Sequence, residues 1–146
     1  MRLAAACLML LALMACSKPQ PPPGRWEGGT VTGGTLVAAR VEIGPDGLVR
    51  VSAPDITAAD TAKPEQLQQM RDRLAADLAG SWSSVSPRPF DFDGDTFRKP
   101  GGVAPQMVWD KTTNQMTLEL YIGASAALPV PLRPVSDFHD DPWPQG

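Results

Sequence analysis

The sequence predicts an α+β domain: an antiparallel sheet from two hairpin regions, with one amphipathic helix packed on it. Three observations predict it. Residues 37–53 carry two runs of alternating apolar and polar residues around Gly44-Pro45-Asp46-Gly47. Leu67, Met70, Leu74 and Leu78 recur at spacings of three, four and four. Met116, Leu118, Leu120 and Ile122 alternate with Thr117, Glu119 and Tyr121. Period two belongs to half-buried strands, and a stripe at helical spacing to a helix with one buried face.

In the first hairpin Val37, Ala39, Val41 and Ile43 form one face and Ala38, Arg40 and Glu42 the other; Val49 and Val51 continue the pattern. Proline presets the backbone for the first turn position, and Gly47 is free to take φ > 0. The helix has Pro64 in its first turn and Gly80 at its expected stop, in keeping with where these residues are tolerated. Phe90 to Phe97 reads as a hairpin about Asp93-Gly94, a register that sets Phe90 opposite Phe97. Met107 to Trp109 pairs with the strand Gln115 to Ile122 across the polar loop Asp110 to Asn114. Leu128 to Val135 holds Pro129, Pro131 and Pro134. Without their N–H groups such residues suit at most an extended edge segment. Trp143 ends the chain in a Pro-flanked tail that either frays or docks. The helix stripe and the Met116–Ile122 face are the two largest apolar surfaces, so the simplest expectation is that they bury each other.

Ahead of this domain, Arg2 precedes an uncharged apolar run from Leu3 to Ala15. A bilayer-spanning helix needs roughly 20 residues, whereas a signal-peptide core needs about 7–15. The run closes on Leu13-Met14-Ala15-Cys16, which resembles the lipobox of bacterial prolipoproteins. That resemblance implies a signal peptide over 1–15, cleavage before Cys16 and acylation of Cys16, which then partners membrane lipid. Ser17 stands where an aspartate would retain an enteric lipoprotein in the inner membrane. The resemblance therefore implies a periplasm-facing domain on the outer membrane rather than the inner. Residues 16–24 follow as acylated cysteine and Pro-rich tether, and 25–146 as the domain. Polyproline geometry, at about 3.1 Å per residue, would let SKPQPPPG hold that domain roughly 20–25 Å from the bilayer.

Charge and composition exclude several functions. Loss of Arg2 from 13 basic residues leaves 12 against 16 acidic, a net charge of −4. An acidic chain lacks the electrostatic footprint of a nucleic-acid binder. Cys7 departs with the signal and Cys16 takes lipid, so no disulfide is expected. The mature chain, about 130 residues, is long enough to rely on its own core. Asp91, Asp93 and Asp95 occupy the first, third and fifth positions of an EF-hand-like loop. Thr96 stands where the turn glycine belongs, and Gly102 where the bidentate glutamate belongs. A hairpin accounts for the stretch better than calcium. His139 is the sole histidine, beside Asp140 and Asp141, and reads as a solvated residue of an acidic tail. A zinc site wants more ligands than that. The GSWSSVS stretch lacks the nucleophile elbow, and Arg98-Lys99-Pro100-Gly101-Gly102 is a basic turn rather than a phosphate loop. No catalytic residue, metal or cofactor is expected.

Gly24-Arg25-Trp26 resembles the G-x-W that opens the first strand of lipocalins, although here the helix lies in mid-chain. What that resemblance implies is carriage of a small apolar ligand. Two functions therefore stand: a non-catalytic, lipid-anchored binding or structural module of the cell envelope, possible partner of another envelope protein, and a lipocalin-like carrier.

Overall fold

The computed structural model describes residues 17–54, 57–123 and 126–144. The chain is α+β, one antiparallel sheet and one helix, but the sheet is continuous rather than two separate hairpin regions. Strands β1 (Gly24–Thr32), β2 (Thr35–Ile43) and β3 (Val49–Ser52) form a meander, followed by the short β4 (Thr57–Ala58) and helix α1 (Pro64–Trp82). A second meander comprises β5 (Asp91–Phe92), β6 (Thr96–Arg98), β7 (Pro105–Asp110), β8 (Gln115–Ile122) and β9 (Ala126–Val135). The path runs β3-β2-β1-β9-β8-β7-β6-β5, with β4 beside β2. The sheet is curled, and the segment just before β5 returns to β3, where Val49 and Arg88 exchange two backbone hydrogen bonds of 2.9 Å.

Local turn chemistry sets most of this. Gly33 and Gly34 take φ of 55° and 70°, the left-handed pair that a two-residue hairpin turn requires. They fix the β1–β2 register from Thr32 opposite Thr35 to Gly24 opposite Ile43. At the second hairpin Gly47 takes φ 78° and donates to Gly44 at 3.0 Å, as the sequence predicts.

One core fills the concave side of the sheet. Trp26, Val37, Ala39, Val41, Ile43 and Val49 meet Phe97, Met107, Met116, Leu118, Val130 and Leu132 there. Gly24 opens β1 because a Cβ on it would fall 2.9 Å from the Trp26 ring. That is a steric reason for the G-x-W spelling. A smaller core lies on the convex side, where Leu74 and Leu78 of α1 meet Leu36, Ala38 and Trp143.

The structure corrects five expectations. The helix covers β2, not the Met116–Ile122 face. Curling turns Met116 and Leu118 into the concave core, so those residues are spent before the helix arrives. The segment 128–135 is an interior strand. Ladder pairs with β8 span Ala126 to Leu132 and those with β1 span Arg133 to Val135. Each stretch of β9 is thus laddered on one side only, which leaves its prolines a side where no N–H is needed. In the third hairpin Phe92, not Phe90, faces Phe97, with ring centroids 4.5 Å apart. The Asp93 carboxylate accepts from the Thr96 backbone N–H at 3.1 Å and makes a four-residue turn of the expected two. The helix passes Gly80, which does not take the positive φ of a helix stop, and ends at Trp82. The tether is no free spacer, since Lys18 to Pro21 lie beside the turns at Asp46–Leu48 and Pro89–Asp93.

The helix placement has a direct test. Leu78→Ala should cost about 2–5 kcal/mol, as buried leucine truncations do. In double-mutant cycles it should couple to Leu36→Ala and add independently to Leu118→Ala, because only contacting residues couple. Coupling to Leu118 instead would contradict the packing.

Candidate functional site

Strand β3 has β2 on one side, and on the other only the single Val49–Arg88 bridge. Beside that bridge the seam is open. A cleft of about 500 Å³ enters the concave side there. Its apolar wall is Val49, Val51, Val85, Phe90, Met107, Leu118 and Leu120; its polar lining is Ser84, Ser86, Arg88, Lys99, Gln106 and Glu119. Met107 and Leu118 belong to the buried core, and Val51, Phe90 and Leu120 are partly buried against it. The cleft is therefore an extension of the core left unfilled. A volume of this size with an apolar wall and a few polar groups is the usual form of a small-molecule site.

Arg50 holds the roof. Its Nη2 donates to Trp82 O at 2.7 Å and its Nε to Val85 O at 3.0 Å. The guanidinium also lies 4.4 Å from the Trp82 ring centroid. These contacts fasten the segment after the helix across the cleft and bring Ser84 and Ser86 to its edge.

The convex side carries a chain of charges that the strand registers create. Arg25 opposes Glu42, and Glu27 opposes Arg40 on one side and Arg133 on the other. Glu27 is fully buried. Its Oε2 lies 3.9 Å from Arg40 Nε and accepts the His139 backbone N–H at 3.0 Å. Its Oε1 lies 3.6 Å from Arg133 Nη2 and contacts His139 Nδ1. Arg40 Nη2 donates to His139 O at 2.6 Å. Phe138 lies under the guanidinium, 5.0 Å from Arg40, and edge-on to Trp82 at 4.8 Å. Burial pushes the Arg40 guanidinium below its ordinary pKa, against the opposing pull of Glu27 and Asp140.

The tail therefore docks. Residues 136–144 run back over the sheet, and Trp143 ends against Gly29, where a Cβ would meet its ring at 2.3 Å. His139 stays exposed, as expected, but it is not free: its backbone N–H and its ring Nδ1 are tied to a buried carboxylate. Sequence reading missed this cluster because Arg40 occupies the polar phase of a strand pattern that usually points to water. The signal available was Gly33-Gly34, whose two-residue turn sets Glu27 opposite Arg40.

The other candidate residues separate. Asp91 accepts from Gly101 N at 3.0 Å, Asp93 from Thr96 N and Arg98 Nη1, and Asp95 from Thr96 Oγ1 at 2.8 Å. The Arg98 hydrogen bond, with the Thr96 N–H, lowers the Asp93 carboxyl to about 2. Among the described residues no group of three His, Cys, Asp or Glu side chains is arranged to hold a metal ion. Within the basic turn Arg98 is spent on Asp93, whereas Lys99 lines the cleft. The serines of GSWSSVS divide, Ser81 meeting Ser52 at 3.2 Å while Ser84 and Ser86 line the cleft, and His139 lies elsewhere. Cys16 and the apolar run before it lie outside the described residues. No described helix is long and apolar enough to cross a membrane.

Glu42 makes the charge chain sensitive to pH. Its carboxyl accepts from Arg25 Nε at 2.7 Å and Arg50 Nη1 at 3.2 Å. The Arg25 hydrogen bond above all, then Arg50, holds it below the ordinary glutamate range, although burial works the other way. A carboxyl lowered on folding contributes stability above its unfolded pKa, roughly 4.3, and loses it as pH falls through the folded value. The stability gap between wild type and Glu42→Gln should accordingly narrow as pH drops below about 4.3. Urea midpoints across that range measure it; a gap that stays constant in acid would contradict the assignment.

No family model, curated protein or solved structure matches the chain.

Proposed function

We propose that this chain is a non-catalytic, lipid-tethered binding module of the bacterial cell envelope, anchored through acylated Cys16, whose cleft carries a small apolar ligand. It faces the periplasm, on the outer membrane in preference to the inner. The cleft carries the reading: about 500 Å³ of unfilled space continuous with the core and walled by seven apolar side chains. The curled antiparallel sheet and the G-x-W packing at Gly24 are compatible with a lipocalin-like carrier. The separation of His139 from Ser84 and Ser86 supports binding over hydrolysis. The lipobox-like Leu13-Met14-Ala15-Cys16 supports the anchor.

Two measurements test it. The chain isolated from a bacterial membrane should have a lipid-modified Cys16 as its first residue by mass spectrometry; an unmodified N-terminus elsewhere would remove the anchor. Reconstituted in phosphatidylcholine vesicles, the chain should be labelled saturably by a neutral diazirine-bearing alkyl probe in the peptides holding Phe90 and Leu118. Leu120→Trp, which fills the cleft, should cut that labelling about tenfold. Labelling that never saturates, or that ignores Leu120→Trp, would remove the carrier.

A further inference from the structure

The cleft also carries charge that its own fold leaves unused. Arg88 and Lys99 both line it, both are exposed, and neither makes an ion pair among the described residues. Elsewhere Arg25, Arg40, Arg50, Arg98 and Arg133 each face a carboxylate, and Arg71 packs over the Trp143 ring. Arg88 is also fixed in place, since its backbone N–H and carbonyl both bond to Val49. Glu119 is the single carboxylate lining the cleft, against two cations. One further observation concerns access. Phe90 borders both the cleft and the groove in which Lys18 to Pro21 lie. The cleft and the membrane-proximal end of the described chain therefore share one pole.

Resting on the reading of the cleft as a ligand site, the geometry points to a more specific occupant: a single-chain amphiphile with an anionic head. Its hydrocarbon chain lies along Val51, Met107, Leu118 and Leu120, and its head meets Arg88 and Lys99 at the rim. A purely apolar ligand would leave both cations without a partner and gain nothing from them. Hydrogen bonds between ionised partners are the stronger class. A carboxylate or a phosphate head would satisfy the same pair. The position beside the tether favours a ligand met at a bilayer surface.

The test uses the membrane-isolated chain in phosphatidylcholine vesicles, with three diazirine-bearing probes at equal membrane loading: a fatty acid, the matching fatty alcohol and a lysophosphatidic acid. An anionic probe should label the Phe90 and Leu118 peptides about tenfold more than the alcohol. The fatty acid and lysophosphatidic acid arms separate a carboxylate source from a phospholipid-derived one. Arg88→Gln with Lys99→Gln should bring the anionic probes down to the alcohol's level and leave the alcohol's labelling unchanged. Equal labelling by all three in wild type would overturn the anionic head while leaving the apolar cleft standing. Absence of cleft labelling by any probe would overturn both.

Discussion

Glu27→Ala is expected to destabilise the domain by about 3–5 kcal/mol, the usual cost of removing one partner from a buried charge pair. Arg40 is only 5% exposed, and Glu27 is its closest carboxylate. Alanine would leave that guanidinium buried with only the weaker pull of Asp140. The His139 backbone N–H would lose its acceptor as well. Domains of this size are stable by only about 5–15 kcal/mol, so the loss is a large share. Arg25→Ala is the control. Arg25 pairs with Glu42 and Asp137 but its side chain is 40% exposed, and exposed pairs contribute about 0–1 kcal/mol. The double variant Glu27→Leu with Arg40→Met should recover much of the loss, because apolar replacement of a buried pair is often neutral or better. Urea unfolding followed by tryptophan fluorescence gives all four values. A cost for Glu27→Ala no larger than that for Arg25→Ala would mean that the carboxylate is not the counter-charge it is placed to be.

The neighbouring residue predicts an effect of similar size on the opposite face. Trp26→Ala should cost about 3–5 kcal/mol, as truncation of a buried tryptophan does. Trp26 is 1% exposed within the concave core. Its Nε1 donates to Asn114 O at 2.8 Å, which ties β1 to the β7–β8 turn. Asn114 reaches that position with φ 54°. Trp26→Phe should cost less, since it keeps most of the ring and loses chiefly one hydrogen bond, about 0.5–1.5 kcal/mol net. Gly24→Ala should mimic part of the loss by pushing the ring from its seat. If Trp26→Ala proved as mild as a surface change, the concave core would not be the main support of the sheet.

Glu27 and Trp26 show how differently the two faces could be read. The strand pattern of 37–53, the Gly44–Gly47 turn, the helical stripe and the β7–β8 hairpin are local: each is set by residues within a few positions of one another. They were legible and stand. The Gly33-Gly34 turn was equally local, and it alone would have paired Glu27 with Arg40. What escaped was the covering of the second face. Period two marks Arg40 and Glu42 as outward, and a half-exposed sheet would leave them in water. In the folded chain α1 and the tail cover that side, and the tail residue that closes on Glu27 is 112 positions away.

The sequence by itself determined the strands within 37–53 and 107–122, the helix and the period of each of these faces, because backbone φ restriction and side-chain alternation act over a few residues. Only the tertiary structure decided which faces meet. Curling committed Met116 and Leu118 to the concave core and left the helix to β2. One-sided laddering admitted three prolines to an interior strand. The single bridge at Val49–Arg88 left the seam from which the cleft opens. Each of these turns on which distant segment arrives alongside, and burial is a property of that arrival rather than of the residue buried.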